Sequence, residues 1–167
     1  MPNHTAYVNI GSNTGDRPYN INRAVACIAD AFPDATVTKS TIVESEAWGY
    51  NSENKYLNIG LAIEFDRQPE PSALLRRLLA IEKTLCNGPH RNADGSYRDR
   101  QTDIDLIAID SLTSDTQELT LPHPRMHLRE FVLIPMIELA PEWRHPLTGL
   151  SCAQMLSELR GTTCTFF

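Results

Sequence analysis

The chain has 167 residues, 41% hydrophobic and 22% charged, with a formal net charge of −6. That length suits one domain over 1–167 with a sizeable buried core. The acidic balance argues against a general nucleic-acid binder, which needs a basic face, and no apolar run is long enough to span a bilayer.

The first residues, Met-Pro-Asn-His-Thr, lack the charged-then-apolar pattern of a signal peptide, so a cytoplasmic location is the expectation. Ala6 to Ile10 reads as a short apolar strand, and Gly11 to Asp16 as a turn-rich loop. Ile21, Val25, Ile28 and Phe32 recur at helical spacing and predict a helix from about Asn20 to Ala31. Thr36 to Ser45 is rich in β-branched residues and predicts a second strand, bent near Lys39-Ser40. Glu46 to Lys55 is a long polar loop carrying Trp48 and Tyr50.

Tyr56 to Phe65 predicts a third strand, with Leu57, Ile59, Leu61, Ile63 and Phe65 on one face. Pro71 suits the first turn of a helix that carries Leu74, Leu75, Leu78, Leu79, Glu82 and Leu85. Cys86 to Gln101 is a second long loop, with His90, Arg91, Arg98 and Arg100. A strand runs from about Thr102 to Asp110, followed by a short hairpin partner near Gln117 to Thr120 and an irregular turn at Pro122-His-Pro124. His127 to Leu139 reads as a helix that Pro135 starts or kinks, and Leu150 to Leu159 as a short terminal helix. Cys27, Cys86, Cys152 and Cys164 are scattered without CxxC spacing, which points to reduced thiols. The order β-α-β-β-α-β predicts an α+β, ferredoxin-like fold: an antiparallel sheet with helices on one face and a C-terminal helical extension.

Chemistry concentrates at the fourth long strand. Asp103 and Asp105 are two apart, so both carboxylates leave the same face. Two such anions repel unless a cation sits between them, and paired carboxylates with water and phosphate oxygens are what Mg²⁺ takes as ligands. The arginine-bearing loop just before them could close over a polyphosphate. Tyr56 and Asn58 share one strand face, where a ring could stack on a flat heterocycle and an amide read its edge; an ordinary exposed sheet face is the plainer reading. His123, His127, Arg125, Arg129 and Phe131 follow; by spacing alone Phe131 is a core residue.

The ordered set Gly11-Ser-Asn13, Tyr56-Leu-Asn58, Asp103-Ile-Asp105-Leu and Leu121-Pro-His123-Pro…Arg129-Glu-Phe131-Val-Leu-Ile-Pro135 resembles the 6-hydroxymethyl-7,8-dihydropterin pyrophosphokinases of folate biosynthesis. The resemblance runs from Ala6 to about Pro146. It implies transfer of pyrophosphate from ATP to the pterin hydroxymethyl group with release of AMP, by a monomer acting on small molecules with two Mg²⁺ ions. Asp103 and Asp105 would then be metal ligands, with Arg91 and Arg100 as phosphate-side catalytic residues. Ser45, Trp48, Tyr56, Asn58 and Phe131 would form the pterin site. Glu82, Tyr97, Arg100, Leu106, Leu119, Thr120, His123 and Arg129 would serve ATP.

Two departures stand out. Members of the family usually follow the second helix with Gly-Arg-x-Arg, whereas this chain has Leu85-Cys-Asn-Gly-Pro-His-Arg91, keeping only Arg91. Losing a phosphate-clamping cation weakens transition-state stabilisation, so the expectation is a working but slow enzyme. The alternative is a weakened relative that binds nucleotide or pterin without efficient transfer. The second departure is Pro124, where an aromatic is frequent beside the histidine.

Overall fold

Strand β1 (His4–Ser12) is the centre of the sheet, and its alternating residues set up both faces. The computed structural model describes residues 3–48, 50, 52–86, 93, 99 and 101–164. After β1 come α1 (Arg17–Ala31), β2 (Thr36–Lys39), β3 (Val43–Ser45), β4 (Tyr56–Phe65), α2 (Pro71–Leu85) and β5 (Asp103–Ile109). A small hairpin of β6 (Ser114–Asp115) and β7 (Thr120–Leu121), a 3-10 turn at Met126–Leu128, α3 (Glu130–Leu139) and α4 (Cys152–Cys164) complete the chain. The sheet order is β2-β4-β1-β5, antiparallel throughout, with β3 also pairing to β4.

Local chemistry explains most boundaries. Asp16 accepts a hydrogen bond from the Tyr19 backbone N–H at 3.1 Å and starts α1 three residues earlier than the apolar spacing suggests. Glu70 caps α2 in the same way, accepting from the Ser72 and Ala73 N–H groups. The predicted bend at Lys39-Ser40 is a true break: the strand divides into β2 and β3. There Ser40 Oγ accepts from the Gly60 N–H at 2.9 Å, taking over one rung of the ladder.

Helices α1 and α2 pack on one sheet face. Ala6, Val8, Ile10, Leu61, Ile63 and Ile109 meet Ile21, Ile28, Leu74 and Leu78 there in one buried cluster. The C-terminal extension covers part of the other face, where Ile107 and half-buried Tyr7 join Met126, Val132, Leu133, Met136 and Met155. A bulge sorts β5 between the two. The register passes from Tyr7↔Ala108 to Val8↔Leu106, leaving Ile107 as the extra residue. Ile107 therefore stays on the aspartates' side, and Ile109 returns to the α1/α2 core.

Further details differ from the sequence pattern. The hairpin after β5 pairs with itself, as a separate two-stranded sheet, rather than extending the main one. Of the two roles open to Pro135, starting the helix is excluded, because it lies inside α3 (Glu130–Leu139), which begins after the 3-10 turn rather than at His127. Among the described residues no helix is long and apolar enough to cross a membrane.

Candidate active site

A cavity of about 730 Å³ opens where α3 leaves the second sheet face uncovered. Its floor is built from three adjacent strands. Gly11 on β1 pairs with Asn58 on β4 and with Asp103 on β5. Two residues further along β1, Asn9 pairs with Gly60 and with Asp105. Asn58, Asp103 and Asp105 thus line one cavity because strand alternation sends them to one side.

Gly11 is required by its neighbours. A Cβ there would lie 2.9 Å from Asn58 Oδ1 and 3.1 Å from the Tyr56 ring. Asn58 is buried and its Nδ2 donates to Ser45 Oγ at 2.9 Å, which fixes the orientation of the amide. Glu82, also buried, reaches from α2 to accept the Ile104 N–H at 2.6 Å. That bond occupies an open group of edge strand β5 between the two aspartates and holds the pair in place.

The opposite wall carries cations and rings. The Arg129 guanidinium carbon lies 4.4 Å from the centre of the Trp48 ring and 5.7 Å from that of Phe131. Its Nη1 is 3.7 Å from Asp105 Oδ2. Arg129 is 9% exposed, and its Nε has no hydrogen-bond partner among the described residues. A buried donor left unmade costs on the order of 1–3 kcal/mol. Arg125 approaches the same Trp48 ring at 5.8 Å.

His123 is set as a neutral donor. Burial, together with the charges of Arg129 and Arg125, lowers its pKa to about 4, against an opposing pull from Asp103. Its Nδ1 accepts the Arg125 N–H at 3.1 Å, so the ring proton sits on Nε2.

Asp99 ties the loop after β3 to the end of β1. Its carboxylate accepts from Asn13, Tyr50, Ser52 and Asn54 at 2.8–2.9 Å. Burial raises its pKa, but these four hydrogen bonds outweigh that and leave it below the usual carboxylate value. Tyr50 also meets the Tyr56 hydroxyl at 3.1 Å, which links this network to the cavity.

A family model described as 7,8-dihydro-6-hydroxymethylpterin-pyrophosphokinase (HPPK) matches residues 7–141. The chain belongs to this family. It is 35% identical over 142 residues to the Porphyromonas gingivalis 2-amino-4-hydroxy-6-hydroxymethyldihydropteridine pyrophosphokinase, covering 84% of this chain and 92% of that protein. The Bacillus subtilis protein of the same name is 34% identical over 153 residues, covering 91% and 87%. In fold, the chain resembles an HPPK-DHPS crystallised with substrates, at a TM-score of 0.69 and 11% identity. A Plasmodium falciparum HPPK-DHPS gives 0.66 and 11%. The chain spans 44% and 45% of those two longer polypeptides.

Against the residues singled out from this HPPK family's pattern, the cavity gathers Trp48, Tyr56, Asn58, Glu82, Asp103, Asp105, His123, Arg129 and Phe131. Ser45 stands behind Asn58 as its partner. Phe131 is half-buried and lines the cavity rather than filling the core. Leu106 and Leu119 are core residues of the α1/α2 cluster. Thr120 lines a second cavity of about 830 Å³, which shares His123 with the first. Arg91, Tyr97 and Arg100 lie outside the described residues. The sequence pattern gives no role to Lys83 or Asp99, and it names Arg125 without assigning it to a substrate. Asp99 sits between two arginines in sequence, while its hydrogen-bond partners lie at positions 13 and 50–54.

Among the described residues no three His, Cys, Asp or Glu side chains converge into a protein-only metal cage. Asp103 and Asp105 nonetheless fit a hard divalent cation that takes its remaining ligands from water and phosphate oxygens.

Proposed function

We propose that this chain carries out its family's reaction at this cavity: pyrophosphate passes from ATP to 6-hydroxymethyl-7,8-dihydropterin, giving the pterin diphosphate and AMP in folate biosynthesis. The observation that carries the proposal is one cavity with two halves. Tyr56, Asn58, Trp48 and Phe131 offer rings and an amide for a flat heterocycle. Asp103, Asp105, His123 and Arg129 offer what a triphosphate and its counter-ion require.

Asp103 and Asp105 would hold Mg²⁺, two ions by the family's pattern. A metal held there would supply charge neutralisation at the phosphate oxygens during displacement. Arg129 supplies a fixed cation beside Asp105. His123 donates from Nε2 without adding a full charge. Asn58 reads the polar edge of the pterin, its amide locked by Ser45.

In the transfer, the bond between the β-phosphorus and the oxygen kept by AMP breaks. The pterin hydroxymethyl oxygen forms the new bond and gives its proton to water or phosphate. Arg91, Tyr97 and Arg100 complete the phosphate side in this reading. By the family's pattern Leu119 and Thr120 would serve the adenine side and Leu106 the ATP site, although Leu106 and Leu119 pack in the α1/α2 core and Thr120 lines the second cavity. The chain acts as a single-domain cytoplasmic monomer in this reading, and the acidic balance supports a role without nucleic acid.

Incubation with ATP, Mg²⁺ and the pterin should release AMP in a pterin-dependent manner. Release of ADP instead would overturn the proposal. The altered stretch Leu85 to Arg91 favours a second reading, tight binding with inefficient transfer. Normal pterin affinity with single-turnover transfer far slower than in the Bacillus subtilis relative would select it.

A further inference from the structure

We infer that Asn9 is a positioning residue for the pterin-facing ring of Phe131, acting through the main chain of α3. Asn9 is 4% exposed, and its Nδ2 donates to the Phe131 carbonyl at 2.9 Å. That carbonyl has lost its ordinary partner. In a regular helix it would accept from the N–H four residues on, but that residue is Pro135, inside α3, which has none. The proline ring also crowds the carbonyl four residues back and tilts it out of the helix. On α3 the tilted group meets the one side-chain amide that β1 presents on this face.

The neighbouring strand makes room for this arrangement. Gly60 pairs with Asn9, and a Cβ on Gly60 would lie 2.6 Å from Pro135 Cβ. Glycine on β4 therefore lets the proline sit directly on the sheet, while Asn9 on β1 takes the carbonyl the proline frees. On its other side Asn9 pairs with Asp105. One row across three strands thus joins the proline seat, the carbonyl anchor and a carboxylate of the cavity. The first turn of α3 carries Phe131, with Arg129 at its cap. Asn9 fixes the depth and rotation of that turn relative to the cavity floor. The assignment rests on the reading that Phe131 faces the pterin.

The test is a two-residue cycle in the full chain. Asn9→Leu keeps the volume and removes the donor. It should raise the KM for the pterin about tenfold, the usual scale for one buried hydrogen bond left unmade, and leave the KM for ATP within about twofold. Pro135→Ala restores an N–H for the Phe131 carbonyl and keeps the Cβ that touches Gly60. Alone it should be close to the unaltered chain; combined with Asn9→Leu it should bring the pterin KM back. If Asn9→Leu does not fold, Asn9→Ala serves in its place, since it cannot overpack. Equal rises in both KM values, an unchanged pterin KM, or no rescue by Pro135→Ala would overturn the inference. A chain that makes no pterin-dependent AMP at all would overturn the functional reading and the positioning role with it. The anchor itself would still be read from amide exchange over 132–136, faster in Asn9→Leu and restored in the double variant.

Discussion

The two faces of the sheet are made from the same three strands and come out opposite in character. On the α1/α2 side, alternate residues of β1, β4 and β5 are apolar and wholly enclosed, with Ile10, Leu61 and Ile63 at 0% exposure. On the other side the intervening positions are Asn9, Gly11, Asn58, Gly60, Asp103 and Asp105. The first face needs only bulk and is satisfied by any well-packed helix pair. The second trades bulk for glycines and polar groups, because a helix and a ligand must each approach the backbone closely.

Neighbouring residues can therefore be made to fail in different ways. Leu61→Ala should cost roughly 2–5 kcal/mol of stability, as large-to-small changes in a closed core do. Denaturant titration checks this, and activity per folded molecule should hold. Asp105→Ala should do the reverse. AMP release should fall by about 10²–10³-fold, the scale for deleting one preorganised charge-stabilising group, with the unfolding midpoint little changed. Near-unaltered turnover of Asp105→Ala at saturating Mg²⁺ would remove the metal assignment.

Gly11→Ala sharpens the contrast within one strand. Its new Cβ would meet Asn58 Oδ1 and the Tyr56 ring, so the strain falls on the pterin half of the cavity. Overpacking of this kind costs about 1–3 kcal/mol. Calorimetric pterin affinity should drop by on the order of tenfold, with ATP binding retained.

The apolar face was legible from sequence and the second face only partly so. Strand β4 matches its predicted limits, Tyr56 to Phe65, because one strict alternation covers its whole length. The aspartate pair was legible because spacing of two on a strand admits one geometry. For Phe131 the two sequence readings disagree: helical spacing makes it core, the family resemblance puts it in the pterin site, and the gap left beside α3 makes it a wall of the cavity. The partnership of Asn9 with Phe131 spans 122 residues and follows from a missing N–H, which no local pattern displays. The Asp99 network was hidden for a similar reason, as its four donors come from positions 13 and 50–54.

That network offers a gentler break. Asp99→Ala removes an acceptor shared by four donors at a half-buried position, and should lower stability by about 1–2 kcal/mol. The loss should be largest at neutral pH. A carboxyl whose folded pKa is depressed stabilises the fold above its unfolded value near 3.8, and that contribution vanishes as the pH drops through the folded pKa. Variant and unaltered chain should therefore converge in acid; a constant gap down to pH 2 would mean that the charge is irrelevant to the tie.

His123 titrates with the opposite consequence. Its folded pKa of about 4 lies below the unfolded value of 6.5, so below pH 6.5 the unfolded chain binds the extra proton first. The histidine thus destabilises the fold progressively between pH 6.5 and 4, and by a constant amount below that. His123→Asn keeps an acceptor for the Arg125 N–H and cannot titrate in this range. Its stability relative to the unaltered chain should be flat from pH 8 to 7 and should improve by under about 1 kcal/mol at pH 6, widening further toward pH 4. ATP binding should reverse part of that trend. A bound polyphosphate favours the protonated ring and pulls the folded pKa back up, so ATP should narrow the gap at pH 6. A gap independent of ATP would place His123 away from the phosphates, on the side of the hairpin cavity.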